Sequence, residues 1–132
     1  MHNTHKRGAV SEYQAATWFS QQGWEVYWSN LGQSSVDFII AKDGEVKTIQ
    51  VKSAVYVAPI KNSPALLRAN LQYGQAKGKR YRDNSFDLLA ICAKDGRIWV
   101  IPYDELPFTQ SIRIWNANRD TGYEKWLVTS QT

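Results

Sequence analysis

The sequence predicts an α/β (α+β) fold folded as one domain, and three observations predict it. A helical pattern over about residues 8–22 opens the chain, and a succession of short runs with strand-like alternation follows. Two pairs of those runs are joined by Asp-Gly, at Asp43-Gly44 and Asp95-Gly96, the dipeptide that favours tight hairpins because Gly tolerates a positive φ. With 132 residues the chain can bury one sizeable core but not two.

The elements can be justified in order. Ala9, Glu12, Tyr13, Ala16 and Phe19 fall at three- and four-residue spacing, which puts them on one face of the first helix. A stripe through Val10 and Trp18 would instead turn Glu12 outward. Gly23 stands where a helix end favours a left-handed residue. Trp24–Trp28 alternates as a first strand, and further strands are expected near 35–41 and 46–55 around the Asp43-Gly44 turn. Ser63-Pro64 reads as a helix cap with Pro in the first turn, which predicts a helix over Ala65–Gln72. Strands are expected at Phe86–Ala93 and Arg97–Tyr103, joined by Asp95-Gly96. Another should cover Ser111–Trp115, with a short closing segment at Tyr123–Val128. Ala-Lys-Asp-Gly occurs at 41–44 and again at 93–96, which reads as two hairpins solving one turn problem, not as an internal repeat.

Composition narrows the function. The net charge is +4 and the isoelectric point near 9.2, a modest bias towards nucleic acid. No apolar run approaches membrane-spanning length, and Met1–Gly8 is polar and basic without the apolar centre of a signal peptide. Cys92 is the only cysteine, so no internal disulfide forms. It sits in an apolar run as a small buried hydrophobe, which fits a reducing, cytoplasmic setting. The six tryptophans fall mostly in element positions and suit core or interface packing. There is no C-x-x-C pair, no Gly-rich phosphate loop and no serine elbow, and the two histidines, His2 and His5, lie at the start of the chain. The hydrolytic machinery left is an acid-bound divalent metal.

Residues for such a centre are present. Asp37 lies in the apolar run Val36–Ala41, and Gln50-Val51-Lys52 lies across the hairpin from it. Strand alternation puts Gln50 and Lys52 on one face and Ile49 and Val51 on the other. An acid, an amide and an ammonium on neighbouring strands form a ligand set with a cation beside it, which suits phosphodiester chemistry. The plainer reading is the polar outer face of a half-exposed strand. Glu12 adds weight, because an unpaired carboxylate on the packing face of a helix is costly. A basic stretch, Gln75–Arg82, carries Lys77, Lys79, Arg80 and Arg82 within six residues, with Tyr81 among them. It suits either a phosphate backbone, with Tyr81 stacking, or a solvated connecting loop. Lys6 and Arg7, just before the helix, read as a DNA-contacting arm or an ordinary terminus.

Glu12 on the first helix, Asp37 on a strand and Gln50-x-Lys52 on the next resemble the PD-(D/E)-x-K nuclease superfamily. The likeness is strongest to its small members, the intron-encoded homing endonucleases and the Holliday-junction resolvases. Phe86–Ile91 and Ile98–Pro102 are similar to their closing strands, so the resemblance covers roughly residues 8–103. Val36 replaces the Pro of the family name, and Gln50 replaces the acid before x-Lys, as in the homing branch. The resemblance implies a restriction-endonuclease-like core, a mixed sheet of about five strands flanked by helices, and would also allow a strand within residues 56–85. It implies Mg²⁺, with Mn²⁺ as a substitute, held by Asp37, the Gln50 side-chain oxygen and the Val51 carbonyl. Lys52 would orient the attacking water or stabilise transition-state charge, and Glu12 would hold a second cation or a water. Partners would be double-stranded or branched DNA and further copies of the chain, as a homodimer or homotetramer. Three functions follow: a homing endonuclease, a junction resolvase, or a nuclease fold that Gln50 has left catalytically silent while it still binds DNA.

Overall fold

Helix α1 (Asn3–Gln21) begins the chain in a computed structural model that describes residues 3–29, 35–71, 86–107 and 109–129. The helix starts earlier than its apolar pattern predicts and stops where expected. Gly23 takes φ 95°, so its N–H reaches the Ser20 carbonyl at 3.0 Å and that of Trp24 reaches Phe19 at 3.1 Å. Lys42 finishes the cap. Its ammonium donates to the Gln22 carbonyl at 3.1 Å and lies over the Trp24 ring.

The buried stripe of α1 differs from the expected one. Ser11, Ala15, Ala16 and Phe19 face the core, while Ala9 and Tyr13 are exposed. Small residues bring the helix axis close to the sheet, and the Ser11 hydroxyl meets that of Ser53 at 2.6 Å. Tyr13 is too large for that contact and packs edge-on against Trp28 at the rim, ring centroids 5.4 Å apart. Glu12 stays at the margin of the stripe, half-buried.

Two sheets follow. The first contains β1 (Glu25–Trp28), β2 (Phe38–Lys42), β3 (Glu45–Ser53), β6 (Leu88–Cys92) and β7 (Ile98–Pro102) in the order β1-β2-β3-β6-β7. Neighbours are antiparallel except β3 and β6, which run parallel. This is the five-stranded mixed sheet that the resemblance implied. The second is antiparallel and joins β4 (Val55–Val57), β5 (Leu66–Asn70) and β8 (Ser111–Asn116) in the order β4-β5-β8.

Three sequence expectations are corrected here. Ala65–Gln72 is not helical: Leu66–Asn70 is strand β5, and Gln72 lies outside the described residues. Leu67 and Ala69 are buried while Arg68 and Asn70 are exposed, the period-two burial of a strand between two partners. Ser63-Pro64 starts no helix, because Ser63 closes a tight turn with Ile60 through reciprocal backbone bonds of 2.8 and 3.0 Å. The expected strand at 46–55 breaks at Ala54, so its end belongs to the second sheet. The closing segment holds a 3-10 turn, Glu124–Trp126, with Leu127 bridged to Trp99.

The layers place the core on both faces of the first sheet. On one face Ala15, Ala16 and Phe19 of α1 cover Phe38, Ile40, Ile49, Val51 and Ala90. On the other, Leu67, Ala69, Ile112 and Ile114 of the second sheet cover Leu89, Ile91, Trp99 and Ile101. Cys92 is buried as expected. Its thiol donates to the Ser11 carbonyl at 3.4 Å, and burial pushes its pKa up to about 12, so it stays protonated and inert. Among the described residues no helix is long and apolar enough to cross a membrane.

Candidate active site

The site forms where β2 stops and β3 continues. The β2–β3 ladder begins at Phe38 opposite Ile49, and β3 runs on to Ser53. Asp37 sits just before β2. Its N–H donates to the Ile49 carbonyl at 2.8 Å and its carbonyl accepts from Ser29 at 3.2 Å, which holds its backbone between β1 and β3. Past the ladder the Val51 N–H would have no β2 partner, and the Asp37 carboxylate takes its place: Oδ2 accepts that N–H at 2.7 Å. The N–H and carbonyl of one strand residue project towards the same neighbour. The Val51 carbonyl therefore points to the same side as Asp37.

Gln50 and Lys52 occupy the face of β3 opposite Ile49 and Val51, as strand alternation predicts. Their parallel partners on β6 are Leu89 and Ile91, both fully buried under the second sheet, so packing there dries the polar pair as well. Gln50 is only 8% exposed. Its amide hydrogen-bonds the Asp37 carboxylate, yet its Oε1 is buried and meets no donor among the described residues. A buried acceptor without a donor costs about 1–3 kcal/mol.

Electrostatics ties four side chains together. Burial raises the Asp37 pKa, against the lowering effect of the Val51 N–H, the Gln50 amide and the Lys52 charge. Burial also lowers the Lys52 pKa, and the negative charge of Asp37 draws it partly back. The Glu12 carboxyl is pushed up by burial first and by the Asp37 charge second. Two carboxylates that repel, one carbonyl oxygen and one amide oxygen without a donor among the described residues are the kind of oxygen ligands that a hard divalent cation takes. No three His, Cys, Asp or Glu side chains cluster among the described residues, so a cation here needs the amide and backbone oxygens.

The structure thus brings Glu12, Asp37, Gln50, Val51 and Lys52 together. Lys6 and Arg7 fall in the first turns of α1, where only the backbone is described. Lys77, Lys79, Arg80, Tyr81 and Arg82 lie outside the described residues. Two positioning residues escaped the sequence reading. The Thr48 N–H donates to Asp87 Oδ2 at 2.8 Å and the Asp87 N–H to Thr48 Oγ1 at 2.9 Å, a reciprocal clamp at the start of the parallel β3–β6 pair. Their signal was present: Phe86-Asp87-Leu88 repeats the pattern of Val36-Asp37-Phe38, an Asp at the head of an apolar strand.

Comparison with known proteins points the same way. The sequence model of a family described as PD-(D/E)XK endonuclease matches residues 2–127. Protein 5.3 of Escherichia phage T7 is 30% identical over 119 residues, covering 90% of this chain and 97% of that protein. The structure of a bacterial homing endonuclease, I-Ssp6803I, aligns with a TM-score of 0.77 at 18% identity, over 96% of this chain and 89% of that one. At that identity the likeness is one of fold.

Proposed function

The chain belongs to the PD-(D/E)XK endonuclease family, and from that premise we propose that it is a divalent-metal-dependent endonuclease cutting phosphodiester bonds of double-stranded DNA, of the homing type. The observation that carries this reading is the buried Gln50 Oε1, which meets no donor among the described residues, beside the Asp37 carboxylate. A hard cation removes the cost of that orphan acceptor, because amide, carbonyl and carboxylate oxygens all ligate Mg²⁺ or Mn²⁺. Asp37, Gln50 Oε1 and the Val51 carbonyl would hold it, with Glu12 on the helix side. When bound, the cation supplies Lewis-acid polarisation and positive charge at the phosphoryl group.

The side chains supply the rest. The Val51 N–H and the Gln50 amide both hold the Asp37 carboxylate in one orientation. Lys52 brings a desolvated ammonium to the face where phosphoryl charge develops, and there it stabilises that charge and orients the attacking water. Lys77, Lys79, Arg80, Tyr81 and Arg82, with Lys6 and Arg7, would follow the DNA backbone. Cutting both strands calls for two centres, hence at least two copies of the chain. Gln50 in place of the family's acid supports one other reading, a nuclease fold that binds DNA without cutting it.

Mg²⁺-dependent cleavage of a supercoiled plasmid and of a four-way junction, with Lys52→Ala as control, tests the proposal. Discrete cutting of the plasmid that Lys52→Ala abolishes supports the homing type. Cutting of the junction alone would shift the assignment to a resolvase. Binding with no cutting of either, nor of a library of cloned host sequences, would favour the silent module.

A further inference from the structure

Two arginines face each other across the second sheet. Arg68 of β5 is the direct cross-strand partner of Arg113 of β8, and both are exposed. Their neighbours Leu67, Ala69, Ile112 and Ile114 are buried in the core, so the arginines project from the outer face. Directly opposite residues of an antiparallel pair lie about 5 Å apart at Cβ, where like charges destabilise the sheet. Neither guanidinium has an ion pair among the described residues. Arg119, just past β8, joins Arg113 along a groove of about 550 Å³ that Ser111 and Asn116 also line. Asp120 is the acid on that rim, and its carboxylate already accepts the Gly122 N–H at 2.6 Å.

An anion shared by the two guanidinium forks would turn this repulsion into attraction, and phosphate fits that fork geometry. Place selects the source of the phosphate. Val55, the β4 partner of Arg68, lies three residues beyond Lys52, and β5 and β8 follow at strand spacing. The arginine row therefore lies within about 20 Å of the catalytic lysine, some six base-pair rises of a duplex. We infer that the outer face of the second sheet is a DNA-backbone contact surface, with Arg68 and Arg113 jointly clamping phosphates that flank the cut. The inference rests on DNA being the substrate and adds a surface separate from the basic stretch at 77–82.

The test is duplex binding by fluorescence anisotropy in EDTA across a salt series, with thermal melts of each protein and Mg²⁺ cleavage in parallel. The Arg68→Gln/Arg113→Gln double variant should bind at least about tenfold more weakly, with a salt slope shallower by about two. Arg68→Lys/Arg113→Lys should keep the slope. Arg68→Glu should weaken DNA binding while raising the melting temperature, since it pairs with Arg113. Wild-type affinity and slope in the double Gln variant would overturn the inference, and if wild type still cuts DNA the endonuclease reading stands. Weakened binding with no cutting by wild type would keep the surface and sink the endonuclease reading. A double Gln variant that melts lower and loses binding, matched by the same losses in the Lys pair, would make the arginines structural and overturn the inference.

Discussion

On the face of β3 that meets α1, Ile49 and Val51 lie in an apolar core, as the covered face of a strand should. On the other face Gln50 is buried almost as deeply and Lys52 is half-buried beside it, yet the Gln50 oxygen has no donor among the described residues and the Lys52 charge is held in a dry place. One strand thus presents a finished face and an unfinished one on adjacent residues. Folding alone accounts for the first. The second is stabilising only when something supplies the missing positive charge, and that is where the chemistry is proposed to occur.

The largest expected difference between the faces is in activity. Lys52→Ala should lower single-turnover cleavage by about 10²–10³-fold or more while DNA binding in EDTA is retained; full activity would remove Lys52 from the mechanism. Next comes stability, where the two faces should respond very differently. Ile49→Ala should cost about 2–5 kcal/mol in urea unfolding, the usual result of emptying a filled core site. Gln50→Leu in EDTA should change stability by less than about 1 kcal/mol, because the relief of an acceptor without a donor among the described residues is offset by loss of the amide bond to Asp37.

A smaller effect should appear in pH dependence. The Asp37 and Glu12 pKa values are raised in the folded chain, so the native state holds protons that the unfolded chain has already lost. Metal-free stability must then fall as pH rises from the ordinary carboxylate range through the raised values. Lys52 has the opposite slope at high pH, between its lowered value and the ordinary lysine one. Asp37→Asn should flatten the acid-side decline in thermal melts taken in EDTA, and an unchanged profile would mean that Asp37 is not strained by its charge. The smallest effect belongs to Gln50→Glu. It should hold or tighten Mn²⁺ affinity in calorimetry by adding the charge the amide lacks, and lower metal-free stability beside Asp37. Loss of folding would mark Gln50 as a structural amide.

The site was more legible in the sequence than the layers around it, for a physical reason. Asp37, Gln50 and Lys52 belong to one hairpin, so period-two alternation and the Asp43-Gly44 turn were enough to set their faces. Glu12 was found by helical spacing, although the stripe itself was misplaced at Ala9 and Tyr13; small-residue contact between α1 and the sheet, which apolar counting ignores, decided that face. Strand β5 was hidden because Ser63-Pro64-Ala65-Leu66 favours a helix locally, while its pairing with β8 depends on residues far along the chain. The Arg68–Arg113 juxtaposition was hidden for the same reason, and it also depends on a register shift at Leu67/Arg68. The Thr48–Asp87 clamp likewise needs β3 and β6 side by side.

Whether the Gln50 face of β3 awaits a cation is read from paired thermal melts of wild type and Gln50→Leu, in EDTA and in Mn²⁺. Gln50→Leu should melt close to wild type in EDTA and lose most of the Mn²⁺-induced rise that wild type shows. A variant that keeps the full Mn²⁺ rise would overturn the reading of Gln50 as a ligand.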